Sequence, residues 1–161
     1  MAVRDVIFIA VLLFFFGTGF LVMNYALNET VDQMINTPQI NVSSGAVSSL
    51  QGIGTLMARL DYLVFGVLIA LILGLIITSW FIGGNPLFMF IFFIVEVIAV
   101  IISAVLANAW EDISNTVPLI TAVGEFPITN HLLLNLPVYI AVIGFIALII
   151  MFAKPAIQGE Q

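Results

Sequence analysis

The stretch 87-LFMFIFFIVEVIAVIISAVLA-107 decides the fold. It is apolar from end to end except for Ser103 and one ionisable residue, Glu96. An α-helix needs about 20 such residues to cross the hydrocarbon core of a bilayer. Three further runs have the same character: residues 6–27, 62–81 and 136–152. Together they predict an all-α integral membrane protein, a single membrane domain over 1–161 with four transmembrane helices. Two longer connections, 28–61 and 108–135, complete it.

Composition supports this reading. Hydrophobic residues make up 63% of the chain and charged residues 7%, too few ionisable groups to coat a soluble globule of 161 residues. The absence of cysteine excludes disulfides, thiolate metal sites and cysteine catalysis. Three basic residues against a net charge of −6 exclude a surface for nucleic acid and a basic patch for anionic lipid headgroups. The first run follows Arg4 and Asp5, as a secretory leader's apolar region would. It is too long for one, however, and the bulky segment from Leu21 to Tyr25 replaces a small-residue cleavage signature, so an uncleaved first span is expected.

Between the second and third spans lie only Ile82, Gly83, Gly84, Asn85 and Pro86. The glycines permit a tight turn, and Pro86 suits a helix start because its missing N–H is not needed there. The second and third spans are therefore predicted to form an antiparallel hairpin. Gly66, Ala70, Gly74 and Thr78 recur every four residues along the second span, and Ala99, Ser103 and Ala107 along the third. Small residues at this spacing let helix backbones approach closely, so these two faces are expected to pack on each other within the hairpin.

An even number of spans puts both termini on one side of the membrane and both long connections on the other. Arg4 and Lys154 against Arg59 favour termini on the cytoplasmic-equivalent side. Glu29, Asp32, Asp61, Glu111, Asp112 and Glu125 all fall on the loop side. Asn28-Glu29-Thr30 and Asn41-Val42-Ser43 match the glycosylation pattern, but such triplets arise often by chance. An extended part is expected around Asn41 to Ser49, before helix resumes near Gln51 or Ile53. In the second connection, Thr129 or Asn130 is expected to cap a short interfacial helix through Leu134. Trp80, Trp110, Tyr25, Tyr62 and Tyr139 fit aromatic anchoring at the headgroup layers, and Lys154 can snorkel at the last end.

Glu96 asks for a functional explanation. A charged side chain at the centre of a bilayer costs roughly 2.5–3.5 kcal/mol on insertion scales. It must be protonated, face protein or water, or acquire a partner, and no basic residue shares its depth. Two readings stay open: a hydrogen-bonding clasp between helices, with Ser103 as a neighbouring polar contact, and an ion path within an oligomer. Catalysis has little support. His131 is the only histidine, and no metalloprotease, nucleotide-binding or hydrolase signature is present. Glu111 and Asp112 read as solvated charges rather than a metal site, and no cofactor is expected. With Glu125, they are candidates for contacting a partner protein.

The segment Gly83-Gly84-Asn85-Pro86-Leu87-Phe88 and the span ending Ala107-Asn108-Ala109-Trp110-Glu111 resemble small multi-span structural proteins of membrane-containing icosahedral viruses and phages. The resemblance covers about a quarter of the chain and transfers no catalytic residues. It implies a role in an internal virion membrane, touching lipids, capsid or scaffold proteins. The expected function is a non-enzymatic structural or assembly subunit of a membrane complex, with homo-oligomerisation among its options. The alternatives are an ion channel or transporter subunit using Glu96, and a holin-like membrane protein.

Overall fold

A computed structural model describes residues 2–41, 43–82 and 86–158, and every regular element among them is helical. The elements are α1 (Ala2–Ile35), α2 (Pro38–Asn41), α3 (Ser44–Ala58), α4 (Leu60–Ile82), α5 (Pro86–Ser114), α6 (Ile120–Val123), α7 (Pro127–Leu134) and α8 (Leu136–Gln158). The expected turn at residues 83–85 lies outside the described residues, as do the tail 159–161 and the side chain of Lys154. Four helical stretches, Asp5–Ile35, Ser44–Phe81, Leu87–Ser114 and Leu136–Ala153, are long and apolar enough to cross a membrane. The chain is an all-α membrane protein.

The inward face of each long helix can be read from its buried residues. On α1 it runs through Val6, Ile9, Leu13, Gly17, Leu21, Asn24 and Val31. On α5 it runs through Met89, Phe92, Glu96, Ala99, Ser103, Ala107 and Trp110. Steps of three and four residues keep each set on one side of its helix. The opposite sides carry exposed Phe15, Phe90, Ile101, Val105, Phe145 and Phe152, the surface expected of a bundle whose solvent is lipid.

The four long helices form a ring in which α1 and α8 each touch both α4 and α5, while α4 and α5 face each other across the diagonal. The second and third spans do run antiparallel, because the start of α4 and the end of α5 both meet α7. They are nevertheless not packed face to face among the described residues, which corrects the expected pairing of their small residues. Gly66, Ala70 and Gly74 point outward, and a Cβ added at Gly66 or Gly74 would meet nothing within 4 Å. Val64, Leu68, Leu75 and Ser79 form the inner face of α4 instead. Ala99, Ser103 and Ala107 are buried as expected, but among helices other than α4.

α7 closes the loop-side end of this ring. It packs against α1, α4, α5 and α8, with Thr129, Leu132 and Leu133 buried. Gly17 makes room for it: a Cβ there would lie 3.0 Å from Thr129 Cγ2 and closer still to Leu133 Cδ1. The helix starts at Pro127, earlier than expected, and neither Thr129 nor Asn130 caps it. The cap comes from a distant residue. Asp61 Oδ2 accepts the Ile128 N–H at 2.9 Å and Asp61 Oδ1 accepts the Thr129 N–H at 2.7 Å. A carboxylate that takes two first-turn N–H groups satisfies donors the helix cannot use itself and sits at the positive end of its dipole. Asp61 is 2% exposed, so these bonds form away from solvent.

Three further side-chain hydrogen bonds lock the same end. Trp110, fully buried rather than anchored in headgroups, donates from Nε1 to Asn130 Oδ1 at 2.9 Å. Asn24 Nδ2 donates to Glu125 Oε2 at 2.8 Å, and Asn28 Nδ2 reaches the same oxygen at 3.3 Å. Asn28 thus lies inside α1 with its amide engaged, a poor glycosylation acceptor. The first connection is also more helical than expected: α1 continues to Ile35, and α3 begins at Ser44 with no extended stretch through Ser49. Ser43 caps α3 through the Ala46 N–H.

Asp61→Ala should lower the stability of the detergent-solubilised protein by about 2 kcal/mol, since charged hydrogen bonds and a helix cap are lost together. Asp61→Asn, which keeps one acceptor oxygen, should lose less. Amide hydrogen exchange should show the loss first at Ile128 and Thr129.

Candidate functional site

Glu96 lies ten residues into α5, about 15 Å along its axis and so near mid-membrane. Its position in the inward series of α5 turns the carboxyl toward α8, where Gly144 is the residue it meets. A Cβ built on Gly144 would overlap the carboxyl carbon and both of its oxygens. The glycine is a socket: α8 gives up a side chain at the level where α5 carries its buried glutamate. Glu96 is 7% exposed, and neither Oε1 nor Oε2 has a hydrogen-bond partner among the described residues.

Beside this socket a cavity of about 290 Å³ opens between α5 and α8. Phe93, Val97, Val100, Ile101, Ala141, Phe145 and Leu148 line it together with Glu96. Glu96 is thus the only ionisable group in an apolar hollow. Phe93, Val97, Ile101 and Phe145 are also exposed on the outside of the bundle, so the hollow faces sideways into lipid rather than along the axis.

The other expected site residues do not gather here. Ser103 lies seven residues further along α5, about 10 Å away along the axis, and its hydroxyl donates to the Val100 carbonyl at 2.8 Å. It is not a ligand in common with Glu96. Thr78 is likewise bonded within its own helix, to the Leu75 carbonyl. Glu111 and Asp112 are exposed at the loop-side end of α5, whereas Glu125 is committed to Asn24 and Asn28. His131 is exposed and stacks edge-on with Tyr139 at 6.3 Å. No group of three His, Cys, Asp or Glu side chains among the described residues could hold a metal ion.

Two residues with no site role in the sequence reading matter most. Gly144 is a glycine in the interior of an apolar span, where helix propensity argues against it. Asp61 is a carboxylate at the mouth of one. Both were visible as oddities of residue type, but only the fold shows what each faces. Compared with known protein families, curated proteins and solved structures, the chain matches none.

Gly144→Ala should destabilise the bundle by about 1–3 kcal/mol, because the new methyl group and the Glu96 carboxyl cannot share one place. Glu96→Ala empties that place, so adding Glu96→Ala to Gly144→Ala should recover a large part of the loss. A double-mutant cycle on thermal stability should give a coupling of about 1 kcal/mol or more. Additive losses would show that the two side chains do not compete.

Proposed function

We propose that this chain is a non-enzymatic structural or assembly subunit of a membrane protein complex, with its termini on the cytoplasmic-equivalent side. The observation that carries the reading is the outward face of α4. Gly66, Ala70 and Gly74 set small residues on the lipid side, with open space above both glycines. Within a bilayer, apolar chains gain little by leaving lipid, and helices associate where small residues let backbones come close. A face of this kind turned away from its own bundle fits another transmembrane helix. The exposed carboxylates of Glu29, Asp32, Glu111 and Asp112 supply acidic positions on the loop side for a basic partner.

The second reading, a channel or transporter subunit, is favoured by the two oxygens of Glu96 in mid-membrane, which have no hydrogen-bond partner among the described residues. It has less support, because the hollow beside Glu96 is apolar and faces lipid. The readings separate in liposomes: the assembly role predicts no proton or cation flux above that of empty vesicles. Flux that vanishes in Glu96→Gln would favour transport.

Cysteine substituted at Ala70 should crosslink to a neighbouring transmembrane helix in native membranes, and Gly74→Leu should cut that yield several-fold without unfolding the bundle. Equal crosslinking from outward positions on α5, such as Val105, would contradict the proposal.

A further inference from the structure

We infer that the hollow between α5 and α8 is a binding site for a lipophilic amine, which enters from the bilayer and sets its ammonium against Glu96. Three features define the ligand. The cavity, about 290 Å³, is at the lower end of small-molecule pockets, which run from roughly 300 to 1,000 Å³. Its walls are aliphatic apart from Glu96 and two phenylalanines, Phe93 and Phe145, a residue type whose ring attracts cations. Its one ionisable group is the carboxyl of Glu96, a residue only 7% exposed, with two acceptor oxygens unused among the described residues.

Among the described residues, nothing in the chain answers this carboxyl. Its basic residues are Arg4, Arg59 and Lys154, each near a span end or in a connection. A bound ammonium neutralises the carboxylate and donates to both oxygens, removing the cost of a bare charge at this depth. Glu96 reaches the ligand by rotating about its side-chain torsions from the Gly144 socket into the adjoining hollow, a change between staggered rotamers. The extent of the hollow decides against a partner helix as occupant. Along α5 it runs from Phe93 to Ile101, about 12 Å, whereas a spanning helix would lie against the bundle for about 30 Å. A short-chain amine matches both the length and the single charge. The inference is independent of the assembly role, which rests on the opposite face of α4.

The test uses the full chain in phosphatidylcholine nanodiscs and an octylamine bearing a terminal diazirine. Photolabelling, mapped by mass spectrometry, should be saturable and confined to residues 93–101 and 141–148. Excess octylamine should compete for it and octanol should not. Glu96→Gln should weaken competition by about tenfold or more. Ala141→Phe, which fills the hollow and leaves Glu96 in place, should abolish the label. Labelling spread over the lipid-facing surface, equal competition by octanol, or unchanged labelling in either variant would overturn the inference. So would a crosslinked second chain found seated in the hollow.

Discussion

Helices inside a bilayer pack without the driving force that water supplies to a soluble core, so contact depends on shape and on polar groups that have nowhere else to go. In this bundle the constraint is sharpest where α8 passes α5. Glu96 cannot face lipid without a large cost, and turning it inward requires room for a carboxyl between two helices. Gly144 provides that room by lacking a side chain. The two residues fix the rotation of α5 and α8 about their axes. That rotation in turn places Ala99, Ser103 and Ala107 inside and Phe93, Val97 and Ile101 on the outer rim of the hollow.

The loop-side end is held by different means. Asp61 caps α7, Asn130 accepts a hydrogen bond from the Trp110 indole, and Asn24 with Asn28 grips Glu125. Each bond joins segments far apart in sequence, and together they tie α1, α4 and α5 to the connection between α5 and α8. A buried carboxylate would be a liability here, but one with two backbone donors is well satisfied. The bundle is therefore closed at one end by hydrogen bonds between distant segments, while its middle holds a carboxyl with no partner among the described residues, beside an open apolar hollow. That contrast sets Glu96 apart from the other acidic residues.

Much of this was legible in the sequence. The four spans follow from apolar length alone, and the inward turn of Glu96 follows from the cost of exposing it to lipid. The partners of each helix were not legible. The five residues between the second and third predicted spans call for an antiparallel pair, yet say nothing about which sides the two helices show each other; α4 and α5 lie across the diagonal, and Gly66 and Gly74 face outward. Four-residue spacing of small residues marks a face fit for close approach without naming the helix that approaches. Trp110 illustrates the same limit: its place beyond an apolar run suggested the headgroup layer, but α7 folds over it and Asn130 accepts its hydrogen bond. Asp61 capped a helix 67 residues away, and no local pattern could announce that.

Disulfide crosslinking in native membranes tests the arrangement most directly, since the chain has no cysteine of its own. With cysteines at positions 96 and 144, mild oxidation should join α5 to α8 rapidly and nearly completely. A pair at 74 and 96 should stay reduced, because position 74 lies on the outer side of a helix across the diagonal. Efficient joining of 74 to 96 with none between 96 and 144 would mean that α4, not α8, covers Glu96, and would contradict the account.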